Sequence, residues 1–226
     1  MEINDSIQKL LEKLDRRHLS TPTTSLYAEQ VVAKFKNTRY SLHKLKELEQ
    51  PIVTVGSTES PDLLDSIEKV NERVNFFCEC FFDFLRSSID ILAQLINQLT
   101  SRRNETWVDI KKVAQDIDPT LYPQLKTSVD YLTRLGAFEK LEHYRHCSMH
   151  RRQVYIKTKA KEPDAAGTRG YYDAFTSQQP AYNSYICVNP RDLEPVVDYS
   201  QTVTTFCESL LKKLERQMVV IVNHLA

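Results

Sequence analysis

The densest run of chemically capable side chains is Tyr144-Arg145-His146-Cys147-Ser148-Met149-His150-Arg151-Arg152. Three of the chain's six histidines and four Lys or Arg side chains lie between Lys140 and Arg152. An imidazole moves protons near neutral pH, and a guanidinium grips carboxylate or phosphate. The surrounding charge is uneven. Residues 102–161 hold 13 basic and 7 acidic groups, a net of +6. Residues 1–101 hold 12 and 15, and residues 162–226 hold 5 and 8, a net of −3 each. The whole chain is neutral, so any attraction for phosphate is local to its middle.

Two readings of this run need no nucleic acid. His143, His146 and His150 are spaced three and four apart and share one face of a continuous helix, where Glu139 or Glu142 could add oxygen for zinc. Arg145, Arg151 and Arg152 repel a cation, and no second ligand cluster accompanies them. Cys78 and Cys80, two apart, point to opposite sides of a helix. No metal or cofactor is therefore expected. In the second reading Arg145 and His150 are structural, holding last-turn carbonyls and the Asp90 side chain at a helix end.

The element that must position these groups is the stretch around Phe76–Leu99, FFCECFFDFLRSSIDILAQLINQL. Neither Gly nor Pro occurs from Asp62 to Asp118, and Ser60-Pro61-Asp62 has the form of an N-cap, a first-turn proline and an acid matched to the helix dipole. The spacing predicts a helix over about 61–101, with a kink or break also compatible. Its second half is apolar over most of its circumference, the mark of a core helix. One seam is polar: Asp83, Ser87, Asp90, Gln94 and Asn97, with Arg86 beside it. It fits a solvated stripe or, more sharply, a polar wall facing a cleft or subunit interface.

The rest of the chain reads as helices over 2–18, 24–50, about 106–117, about 121–136 or beyond, and 191–225. Gly136 would cap or bend the fourth of these patterns, which resumes through Leu141 and Tyr144. Gln153–Lys159 and Asn183–Val188 alternate like strands. The fold class expected is all-α: a helical bundle around a long central helix, with a small β-hairpin (about 153–190) inserted before the C-terminal helix. Residues 1–55 would form an N-terminal helical hairpin packed on a bundle spanning 56–226. Five cysteines without framework spacing suggest reduced thiols and a cytoplasmic protein. MEINDSIQKL has no secretory pattern, and the central apolar run carries Glu79, Asp83, Arg86 and Asp90, too many charges for a membrane span.

Arg145, with His146 directly after it and His150 four intervening residues on, resembles the motif of the HEPN superfamily, helical proteins of prokaryotic defence and toxin–antitoxin systems. That motif is an Arg, a polar residue next to it, and a His four to six residues later. The resemblance spans roughly residues 60–226, including the core helix with its polar seam and the last helix. It implies a metal-independent endoribonuclease. His150 would take the proton from a ribose 2′-hydroxyl. Arg145 would hold the scissile phosphate and stabilise its growing charge. His146 would orient the phosphate or act as partner acid. Asp90 or Ser87, with Arg86 beside them, would fix a histidine tautomer or hold Arg145. Arg151, Arg152 and Lys157 would bind nucleic acid. The resemblance also implies a homodimer that brings two motifs into one cleft, and an antitoxin or nucleotidyltransferase partner. Many relatives keep the fold and have lost cleavage, serving as interaction modules.

A different class of reading is a winged helix. Trp107–Ile117, Leu121–Leu135, Gly136-Ala137-Phe138 and the later strand would be helix, recognition helix and wing on DNA. It requires Lys126 and Arg134 to face outward together. Tyr171, Tyr172, Tyr182 and Tyr185 would either pack the hairpin on the bundle or stack unpaired bases.

Overall fold

Uninterrupted apolar recurrence makes Leu63–Thr100 a single 38-residue helix, α3, with no break where one was also compatible. The computed structural model describes residues 2–49, 63–100, 108–150, 156–160, 182–186 and 202–225; side chains at 49, 63–68, 71 and 146–150 and in both strand segments are outside that description. The Ser60-Pro61-Asp62 cap and the predicted helical residues 191–201 lie outside it too.

Around α3 stand α1 (Ile3–Arg16), α2 (Pro22–Glu49), α4 (Ile110–Asp116), α5 (Pro123–Arg134), α6 (Gly136–His150) and α7 (Val203–Leu225). The fold is all-α in class, a helical bundle. α3 touches α2, α4, α6 and α7, and its pairing with α2 is the most extensive. Strands β1 (Ile156–Ala160) and β2 (Tyr182–Ile186) pair antiparallel, Ile156 opposite Ile186 and Ala160 opposite Tyr182. β1 runs beside α3, and β2 lies against α2 and α7.

One core joins all seven helices. Ile3, Ile7 and Leu10 of α1, Phe35 of α2, Phe81, Phe82, Leu85 and Ile89 of α3, and Leu214 and Met218 of α7 belong to a single buried cluster. The caps follow local chemistry. Thr21 and Thr24 exchange hydrogen bonds at the start of α2, Thr21 N–H donating to Thr24 Oγ1 at 2.8 Å and Thr24 N–H to Thr21 Oγ1 at 3.1 Å. Asp109 caps α4 by accepting from the Lys112 N–H at 2.7 Å.

The boundary between α5 and α6 differs from the sequence reading. The break falls at Leu135, which takes an extended conformation (φ −68°, ψ 125°), and Gly136 is the first residue of α6 rather than a cap or a bend. Leu125, Val129 and Leu132 are buried, and α5 packs on α7. That burial turns the chain between two short helices, where periodicity alone ran on.

Candidate functional site

The polar seam of α3 is buried over its C-terminal part. Arg86, Asp90, Gln94 and Asn97 are all buried, at 3–8% exposure. They are covered by α4 and α6, which pack on α3. Gln94 Nε2 donates to the Val108 carbonyl and so ties the entry of α4 to the central helix. Asp83 and Ser87, nearer the N-terminal half of α3, are half-buried.

The charges in this seam are paired, as burial requires. Arg86 meets Asp90 one turn along the same helix, the geometry of an i, i+4 pair. Its other nitrogen lies 3.5 Å from Glu142 of α6, and its guanidinium sits 5.3 Å from the centre of the Phe138 ring. Lys111 of α4 holds the second oxygen of Glu142 at 2.6 Å and approaches the same ring at 5.9 Å. Glu142, considered from sequence as an oxygen donor to zinc, is thus the junction of two cations. Phe138 and Lys111 carry no sequence signal for this role, because only the packing of α4 and α6 on α3 brings them near Arg86.

Arg145 is on the same side of α6. Its Nε lies 4.0 Å from Asp83 Oδ1, with both side chains somewhat under two-fifths exposed. The preceding residue fixes this placement: the Tyr144 ring stacks on Phe82 at 5.0 Å and meets Phe206 of α7 edge-on at 5.3 Å. Of the acids on α3, the Asp90 carboxylate contacts Arg86, and Asp83 is the one within ion-pair distance of Arg145.

Burial raises the Asp83 carboxyl above its ordinary range, with Arg145 pulling the other way. Burial likewise raises Asp90, opposed by Arg86 and, at longer range, Arg145, while Asp109 pushes it further up. Cys80 is raised by burial, then by Asp83 and Glu79, so its thiol is a poor nucleophile.

His146 and His150 are placed only by helix register. α6 runs unbroken through His150. At 3.6 residues per turn, positions 145 and 150 are separated by roughly 140° around the axis, and 145 and 146 by about 100°. Positions 146 and 150, four apart, share a face, and it is not the face of Leu141 and Arg145. The side chains of His146 and His150, residues Arg151 and Arg152, and the Lys157 side chain lie outside the described residues, as do Tyr171, Tyr172 and the side chains of Tyr182 and Tyr185.

The arrangement required of a DNA-recognition helix is not met by α5. Lys126 Nζ turns back to the Ala114 carbonyl of α4 and to Asp130 at 2.8 Å, while Arg134 is exposed two turns on. Gln217 of α7 donates to the Ser128 carbonyl at 2.9 Å, which fastens α5 to the bundle.

Among the described residues, no group of three His, Cys, Asp or Glu side chains could hold a metal ion, and no helix is long and apolar enough to cross a membrane. Compared with known proteins, the chain matches no family model, no curated protein and no solved structure.

Proposed function

We propose that the chain is a HEPN-like protein directed at RNA, with Arg145 as the phosphate contact and His150 as the proton acceptor. The observation that carries this reading is the setting of Arg145. Its Nε lies 4.0 Å from an acid on the core helix, Asp83, yet the side chain keeps about two-fifths of its surface exposed. A cation with a carboxylate nearby but not sealed off suits a phosphate. In this reading the paired strands are a β-hairpin arm inserted before α7, and Arg151, Arg152 and Lys157 add cations along the RNA.

The helix register of α6 adds a condition. Positions 145 and 150 diverge by roughly 140° within one helix. A shared cleft then takes Arg145 from one protomer and His150 from its partner, with His146 beside that imidazole. The active unit is a homodimer, and cleavage needs no metal.

The test is cleavage of single-stranded RNA by the purified chain in EDTA. Arg145→Ala and His150→Ala should each lower the rate by about 100-fold or more, with thermal unfolding little changed. Mixing the two inactive variants should restore activity, because one of the two clefts in a mixed dimer keeps both groups. Activity lost in EDTA, or unaffected by either substitution, would refute the assignment.

A specific observation favours a second reading, the catalytically silent relative. Arg145 already has a carboxylate beside it, and the register turns position 150 away from it. In that case the site orders α6 against α3, and the protein serves as an interaction module for an antitoxin- or nucleotidyltransferase-type partner.

A further inference from the structure

The N-terminal helices bring a second feature that the Arg145 region does not use. α2 and α7 run antiparallel and are fastened by two ion pairs two turns apart on each helix. Arg39 reaches Glu215 at 2.7 Å, and Lys46 reaches Glu208. Glu215 is occupied further, accepting from the Ile3 N–H of α1 at 3.3 Å. Arg39 also takes Glu2 at 2.8 Å, and these acids raise its pKa. Between the two helices lies an open groove of about 1030 Å³.

The groove has an apolar floor and a basic rim. Leu42, Leu211, Val219 and Val220 line it, with Lys212 and Arg216 along its α7 edge. The two carboxylates in its wall, Glu208 and Glu215, are both engaged by α2. Lys212 and Arg216 are exposed, one helical turn apart, and have no ion-pair partner among the described residues. Counting Arg39 and Lys46 against Glu208 and Glu215, the described lining residues carry an excess of two positive charges, and both belong to that edge. From Thr205 to Val220 the α7 wall rises about 22 Å at 1.5 Å per residue, four turns of helix.

We propose that this groove is the docking site for an acidic amphipathic helix of a partner protein. Its apolar face would lie on Leu42, Leu211 and Val219, and carboxylates four residues apart would meet Lys212 and Arg216. Charge complementarity selects this occupant. A basic or neutral helix would leave the two cations without carboxylates, since Glu208 and Glu215 are already engaged by α2. The proposal is independent of RNA cleavage.

The test pans a random peptide display library on the full chain. Enriched peptides should carry Asp or Glu pairs four residues apart flanking Leu, Ile or Val. The best of them, synthesised with a fluorescent label, should bind the Lys212→Glu/Arg216→Glu double variant about tenfold more weakly or worse. Thermal unfolding of that variant should match the parent, since both side chains are exposed. The same peptide with Lys in place of its acids should bind the double variant and not the parent. Enrichment of neutral or basic peptides, absence of enrichment, or an affinity indifferent to the double reversal would overturn the proposal. So would a fluorescent 20-nucleotide RNA that binds through the same two residues.

Discussion

Arg86 is the one buried Lys or Arg among the described residues, and its surroundings say what it costs to remove. Its neighbours Asp90 and Glu142 come from two helices, and Glu142 has Lys111 in reserve. Asp90 would keep only the longer-range attraction of Arg145. Arg86→Met should therefore destabilise the protein by about 3–5 kcal/mol at neutral pH by stranding a buried carboxylate. In a chain of this size that corresponds to a fall of roughly 6–20 °C in Tm. Burial raises the folded-state pKa of Asp90 above its unfolded value, so the folded state holds the proton more tightly. Stability is then lost as pH climbs from the ordinary carboxylate value of 3.8 through the raised one, and recovered on acidification. The deficit of Arg86→Met should shrink accordingly as pH is lowered. Adding Asp90→Leu should return stability to the parent value or above it, because the charge left unpaired is gone. Denaturant unfolding at pH 7 and pH 4.5 measures all of this.

At the scale of elements, the turn after α1 shows a cost the sequence carries openly. His18 has φ +56°, the left-handed region. Its N–H donates to the Asp15 carbonyl at 3.0 Å, and the Leu19 N–H to the Leu14 carbonyl at 2.9 Å, the two bonds of a Schellman closure. A side chain with a Cβ pays for this conformation, whereas glycine does not. His18→Gly should raise stability by about 1 kcal/mol, and His18→Val should lower it, both read from the shift in urea midpoint at constant slope. Elsewhere the elements are joined by contacts between remote residues: Gln94 with Val108, Gln217 with Ser128, and Tyr144 with Phe82 and Phe206. These orient α4 and α6 on the central helix and α5 on α7.

The whole molecule is decided by one shared core. The N-terminal helices α1 and α2 place nine buried hydrophobic side chains, from Ile3 to Leu45, in the same cluster as α3 and α7. At about 1.5–3 kcal/mol each, their burial is worth on the order of 15–25 kcal/mol. A domain's net stability is only about 5–15 kcal/mol. A chain that starts at residue 50 is therefore expected to lose its cooperative thermal transition and to bind a hydrophobic dye. A sharp transition for that truncation, near the parent Tm, would show that α1 and α2 are an accessory layer.

Long-range periodicity made most helices legible in the sequence. The steps from Leu63 to Leu99 specify α3, and the same pattern specifies α1, α2 and α7, because a helix's spacing is written in its own residues. The composition of the Arg145–Arg152 run was equally plain. What the chain alone left open was pairing. The carboxylate beside Arg145, the neighbours of Arg86, the break at Leu135 and the basic edge of the α2–α7 groove all depend on residues far apart in sequence. Only the packing of helices against α3 and of α2 against α7 chooses among them, since burial and charge pairing act across space rather than along the chain.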